Sequence, residues 1–238
     1  MIDNENKYTK MQQWYFDNEA NKWSLDYIDA VVGSFNAHNE WPDYETYLWK
    51  DIDNLKDKTV LDFGCGPARN LVRWANDVKR IDGVDISDVN LQNGKIWISA
   101  NNLDVDNFTL YKGDGVSIES VPSDAYDIVM STIAMQHICV HEIRYNLFKE
   151  FYRTLKSGGK ITMQMAYGPQ VPNKNSVDYY DNYYDATTTN GHADTRVEDP
   201  NQLKNDLEKI GFKNFNHYIR PAGPGDDHPN WIFFNAEK

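Results

Sequence analysis

At residues 59–63 a short β-type run, TVLDF, ends in the turn GCGPARN, and Leu71, Trp74, Ala75 and Val78 continue as a helical stripe. A strand that gives way to a helix through glycines constrains the chain strongly. The backbone can pass close to a ligand there, and the first helical N–H groups face whatever sits above the turn. The same alternation repeats through 57–168. Candidate strands RIDGVDI (80–86), FTLYK (108–112), YDIVMS (126–131) and KITMQMA (160–166) follow in order. Between the last two, Ile143, Leu147, Phe151 and Leu155 share a helical stripe that Phe148 and Tyr152 widen. Repeated strand–helix units predict an α/β fold, a doubly wound parallel sheet with helices on both faces.

The flanks read differently. Residues 1–55 are rich in aromatics at near-helical spacing, among them Tyr8, Trp14, Phe16, Tyr27, Phe35, Trp41 and Trp49, which predicts short helices capping the core. Residues 168–197 have poor periodicity and read as an insert. In 198–238, Asp199 can cap a helix with Pro200 at its first position and Gln202 completing a capping box. Leu203, Leu207 and Ile210 then face inward, and Gly211 stops the helix. FNHYI (215–219) and WIFFNA (231–236) predict two closing strands around a Pro- and Gly-rich loop. The whole of 1–238 is expected to form one domain.

Charge narrows the partners. Lys plus Arg number 24 against 36 Asp plus Glu, a net charge of −12 with no basic run, which disfavours nucleic acid and anionic membranes. The longest apolar-dominated run, IVMSTIAM (128–135), is too short to span a bilayer, and the polar start MIDNENKYTK lacks the apolar stretch of a signal peptide. Two cysteines, Cys65 and Cys139, build neither a disulfide framework nor a metal-ligand spacing, so a reducing, cytoplasmic location without structural zinc is expected.

The dinucleotide fingerprint fails here, because the sixth position counted from Gly64 is Arg69. Instead the small residue is Ala68, and Asp62 stands two before Gly64. VLDFGCGPARN thereby resembles the first motif of the class I S-adenosylmethionine-dependent methyltransferases. The resemblance covers 57–168 well, its departures being Ala68 for the commoner third glycine and two zones, the N-terminus and 168–197, that do not align.

The resemblance implies a Rossmann-like seven-stranded sheet, mostly parallel with an antiparallel last strand. It also implies S-adenosyl-L-methionine as cofactor, with S-adenosyl-L-homocysteine as product. Asp62, Gly64, Cys65 and Gly66 would surround the methionine part. Asp85, 23 residues after Asp62, would meet the ribose hydroxyls, and Ile86 would wall the adenine. Asp114, between Gly113 and Gly115, would accept from the adenine amino group. Ser131 and Thr132 would line the cofactor, and Gln136 would orient cofactor or substrate.

Sub-family signatures remove several acceptors. Ser131-Thr132-Ile133-Ala134 is not the Asn/Asp-Pro-Pro-aromatic motif of base N-methyltransferases, and Cys139 lacks the proline of a cytosine C5 nucleophile. No Asp stands at Ser131 or Thr132 for aminopropyl transfer, and MAYGPQ offers no Asp-Asn pair for a catechol-type metal site. Metal-free O- or N-methylation of a small molecule remains, with His137 and His141 as candidate bases. Tyr179, Tyr180, Tyr183 and Tyr184 fall where the family places substrate-covering inserts, although a homodimer contact or plain packing accounts for them equally. Trp14 and Trp49 are candidates to close over the cofactor. His192 with Asp194, and Asp226 and Asp227 with His228, read as loop chemistry, not as metal sets. Two other readings stay open: an RNA-modifying methyltransferase, which needs a basic groove, and a cofactor-binding partner protein without catalysis.

Overall fold

The computed structural model describes residues 2–26, 44–169, 176–185, 193–221 and 228–238. Nine strands are described: β1 (Thr59–Phe63), β2 (Arg80–Asp85), β3 (Leu110–Lys112), β4 (Tyr126–Thr132), β5 (Leu155–Tyr167), β6 (Ser176–Asp178), β7 (Asp194–Arg196), β8 (Lys213–Pro221) and β9 (Asn230–Glu237). The helices are α1 (Ile2–Ala20), α2 (Tyr44–Leu48), α3 (Arg69–Trp74), α4 (Asp88–Ala100), α5 (His141–Thr154) and α6 (Pro200–Ile210).

Seven strands form one sheet in the order β3-β2-β1-β4-β5-β9-β8. Every neighbouring pair from β3 to β5 is parallel, and only β9 runs against its neighbours. The order reverses between β1 and β4, which opens a crevice at the carboxyl ends of those strands. β6 and β7 pair parallel as a small separate sheet. No helix among the described residues is long and apolar enough to cross a membrane.

Alternation along the strands splits the core into two layers. Leu61, Val129, Met163 and Phe234 face α5 and α6, where Ile143, Leu147, Phe151, Leu203 and Leu207 are buried. Val60, Ile128, Met130 and Phe233 face α3 and α4, against Leu71, Trp74, Leu91 and Ile98. Burial on both faces is why the strands read as continuous apolar runs. The α6 cap forms as the sequence predicts, with the Asp199 side chain on backbone N–H and the Gln202 side chain reaching back.

Some boundaries move. FTLYK shortens to Leu110–Lys112. The LKSGG stretch joins β5, and because Leu155 pairs with Tyr126 and Lys160 with Ile128, a register shift interrupts the strand there. Tyr27, Phe35 and Trp41 lie outside the described residues.

Candidate functional site

Gly64, at φ +71°, turns the chain out of β1, and its N–H and that of Cys65 donate to the Val84 carbonyl at 2.8 and 3.1 Å. A Cβ at Gly64 would stand 2.3 Å from that of Ala134, so only glycine lets the β1 and β4 turns meet. Gly66 N–H donates to Asp85 Oδ2 at 2.8 Å, and Ser87 N–H to Oδ1 at 2.8 Å. Burial raises the Asp85 pKa, and these backbone donors oppose the shift. Beneath the turn, Asp62 is fully buried. Its Oδ2 accepts from Asn70 Nδ2 at 3.2 Å, while Oδ1 has no partner. Burial pushes its carboxyl up to about 7. The same burial, with Asp85 and Asp62 adding, raises the Cys65 thiol and keeps it neutral.

A cavity opens above this turn. Gly64, Cys65, Gly66, Asp85, Ile86, Gly113, Gly115, Thr132 and His137, all singled out from sequence, line it together. Sequence reasoning missed Asn70 and Ser117, and above all the contribution of α1, where Tyr8, Gln12 and Phe16 form one wall. Their spacing of four residues is a helical stripe, the available signal. The wall is tied down at its base. Tyr8 Oη accepts from Cys139 N–H at 2.8 Å, and Gln12 Nε2 donates to the His137 carbonyl at 3.3 Å.

Several expected residues stand elsewhere. Ser131 donates to the Phe63 carbonyl at 2.9 Å behind the wall, and Gln136 accepts from Ala166 N–H at 3.0 Å with its side chain beside His228. Asp114 is exposed and occupied by its own turn, accepting from Val116 N–H at 2.9 Å and Ser117 N–H at 2.6 Å, so it does not line the cavity. His141 is one turn too far along: its Nε2 meets Asp206 Oδ2 at 2.7 Å, on the α5–α6 side. The tyrosines follow it there. Tyr179 is buried with its hydroxyl donating to Asp206 at 3.0 Å, Tyr180 contacts the Gln202 carbonyl, Tyr183 is exposed, and Tyr184 meets Glu142. None of the four lines the cavity, because the Val140–Asn182 bridge pins this segment to the start of α5. Trp14 is 67% exposed, and Trp49 packs edge-on against Trp74 in the core.

The chemical centre of the cavity is His137. Its Nδ1 lies 2.7 Å from Asp194 Oδ1, and Asp194 Oδ2 lies 3.1 Å from His228 Nε2. A carboxylate only accepts, so Nδ1 of His137 carries the proton and Nε2 holds the basic lone pair. Asp194 and His228, expected to be loop residues, thus join one buried chain with His137; His192, Asp226 and Asp227 lie outside the described residues. The turn bearing His137 starts from Ile133, a β-branched residue at φ +69° and ψ −40°, whose N–H donates to Gln164 Oε1 at 2.7 Å. Backbone of that kind persists only where the surroundings impose it.

Glycine turn, acidic residue at the end of β2, and a sheet reversing between β1 and β4 agree with the matched family. Residues 60–159 match the family described as a methyltransferase domain. The fold is that of the class I methyltransferases. A crystal structure of an S-adenosylmethionine-dependent methyltransferase from Mesorhizobium loti resembles it with a TM-score of 0.60 at 18% identity, covering 84% of this chain and 97% of that one. The [4+2]-cyclase SpnF superimposes with a TM-score of 0.66 at 15% identity over 97% of this chain and 96% of that one. The S-adenosyl-L-methionine-dependent Diels-Alderase iccD of Talaromyces variabilis is 27% identical over 104 residues, 44% of this chain and 35% of iccD. The match therefore spans about a third of that relative's length.

S-adenosylmethionine is the cofactor of the methyltransferase family, and the residues present fit it. The orphaned Asp62 Oδ1 lies under a turn that admits no side chain at Gly64, and the Asp85 carboxylate lines the cavity. An acidic floor suits a ligand carrying an ammonium and a sulfonium.

Proposed function

We propose that the protein methylates a small-molecule hydroxyl or amine with S-adenosylmethionine, without a metal ion, and that His137 takes the acceptor's proton. The observation that carries this reading is the cavity-lining His137 with its Nδ1 held by Asp194 at 2.7 Å. Bound in the cavity, the cofactor supplies an electrophilic methyl group. The chain's own part is alignment and proton removal. Asp85 holds the ribose diol, Gly64 and Gly66 admit the methionine portion, Ile86 borders the adenine, and α1 excludes water. Asp194 fixes the tautomer of His137 and stabilises the imidazolium that forms. The net charge of −12 favours a small acceptor over RNA, and the two free cysteines suit the cytoplasm.

Calorimetry should show binding of S-adenosylmethionine and S-adenosylhomocysteine and none of NAD. A methyl-labelled cofactor should then label an acceptor from a panel of phenols, sugars and amines. NAD binding with no response to either sulfur nucleoside would overturn the assignment. A second reading, a cofactor-dependent ring-closing enzyme, draws on the similarity to iccD and SpnF. Product formation without release of S-adenosylhomocysteine would establish it instead.

A further inference from the structure

β7 carries three side chains in alternation, and this sets two of them on one face. Thr195 points to the Arg144 guanidinium, which donates to its hydroxyl at 2.8 Å. Asp194 and Arg196 share the opposite face, where Asp194 holds His137 and His228. Arg196 is 2% exposed, and its Nη1 donates to the Pro169 carbonyl just beyond the end of β5. Its Nε and Nη2 have no partner.

Those two nitrogens form one edge of the guanidinium. Their N–H bonds run parallel, at the spacing that matches two oxygens of a carboxylate or phosphate. Asp194 and Glu198 act on the charge only through space, and burial lowers the Arg196 pKa, yet arginine stays protonated. A buried cation with an open fork is costly unless an anion completes it. The location suits an acceptor, since ligands of doubly wound sheets bind beyond the carboxyl ends of the strands. Val197, next in sequence, bridges Tyr167 at the end of β5, two strands from β1.

We propose that Arg196 is the anion-binding residue of the acceptor subsite, its Nε–Nη2 edge taking an oxyanion group of the molecule whose nucleophile faces His137. The acceptor class is thus an anionic small molecule, a hydroxy- or amino-bearing carboxylate or phosphate. Two residues along a strand separate the Cα atoms of Arg196 and Asp194 by about 7 Å, a separation such a molecule can bridge. The assignment of this subsite to the acceptor rests on the proposed methyl transfer, whereas anion binding at Arg196 does not.

The test is an NMR titration of the full chain, following the arginine Nε–Hε resonances, with and without S-adenosylhomocysteine. Arg196→Lys assigns the resonance, and Arg196→Gln does so if the lysine variant fails to fold. Acetate should shift the Arg196 signal saturably in the millimolar range, and acetamide, its neutral counterpart of the same size, should leave it in place. Inorganic phosphate serves as the second arm: a response to phosphate alone assigns a tetrahedral oxyanion, and one to acetate a carboxylate. The variant should weaken anion binding at least tenfold while cofactor binding stays unchanged. An Arg196 signal unmoved by both anions, or moved equally by acetamide, overturns the proposal. Calorimetry of S-adenosylhomocysteine on the same samples tests the methyltransferase reading separately.

Discussion

Two histidine–carboxylate pairs lie close together in sequence and far apart in role. His137 meets Asp194 and His141 meets Asp206, each at 2.7 Å. The first histidine lines the cavity beside the glycine turn, and its carboxylate reaches on to His228. The second is flanked by the rings of Tyr179 and Tyr180, and its carboxylate also accepts the Tyr179 hydroxyl. The shared distance therefore says nothing about chemistry by itself. What separates the pairs is the turn between them: His137 ends the strained turn after β4, and His141 opens α5, which rotates its side chain toward α6.

The sharpest way to break this contrast is to remove each histidine. His137→Ala should lower single-turnover methyl transfer to a hydroxyl acceptor by about 10²–10⁴-fold with cofactor affinity little changed, the usual contribution of a positioned base. A loss within about threefold would erase the distinction and leave His137 a packing residue.

A carboxylate with no histidine at all extends the comparison. Asp62 has only Asn70, and its folded pKa of about 7 exceeds the ordinary carboxylate value of 3.8. Between those values the native state holds a proton that the unfolded chain releases, so this group costs the fold roughly 1.4 kcal/mol per pH unit as pH rises toward 7. Asp62→Asn removes that slope. In urea unfolding of the cofactor-free protein, the variant should gain roughly 3 kcal/mol more over wild type at pH 8 than at pH 5. Parallel pH profiles would show that Asp62 is ionised in the fold already.

Asp85 supplies the opposite case, a buried carboxylate held by two backbone donors. Asp85→Asn should weaken S-adenosylhomocysteine binding by about 1.5–3 kcal/mol, measured by calorimetry. Unchanged affinity would remove it from the ribose. The smallest effect belongs to the second histidine. His141→Ala should cost about 1–3 kcal/mol of unfolding free energy, because Asp206 loses a bond while 2% exposed, and should leave the transfer rate within about threefold. A large rate loss there would bring the two pairs back together.

The contrast also marks where the sequence was readable. Local signals held: the glycine turn after β1, the capping box of α6, the α5 stripe and the antiparallel last strand all depend on residues near one another or on a family pattern. The candidate site was legible where its residues sit at or just beyond the ends of the core strands, as Asp85, Gly64 and His137 do. Long-range partners carried no such trace. Asp194 is 57 residues from His137, and Tyr8 reaches Cys139 across 131. The tyrosine run and Asp114 misled for a related reason, since composition and turn glycines do not say which way a side chain points once a bridge or an Asx turn has fixed the backbone.

The α1 wall also fixes the turn after β4. Tyr8 and Gln12 grip Cys139 and the His137 carbonyl, so the helix that walls the cavity also holds the turn bearing His137. A displacement of α1 would break those two grips together, which couples the helix to the turn. The placement of His137 and the closure of that wall are therefore a single property of the fold.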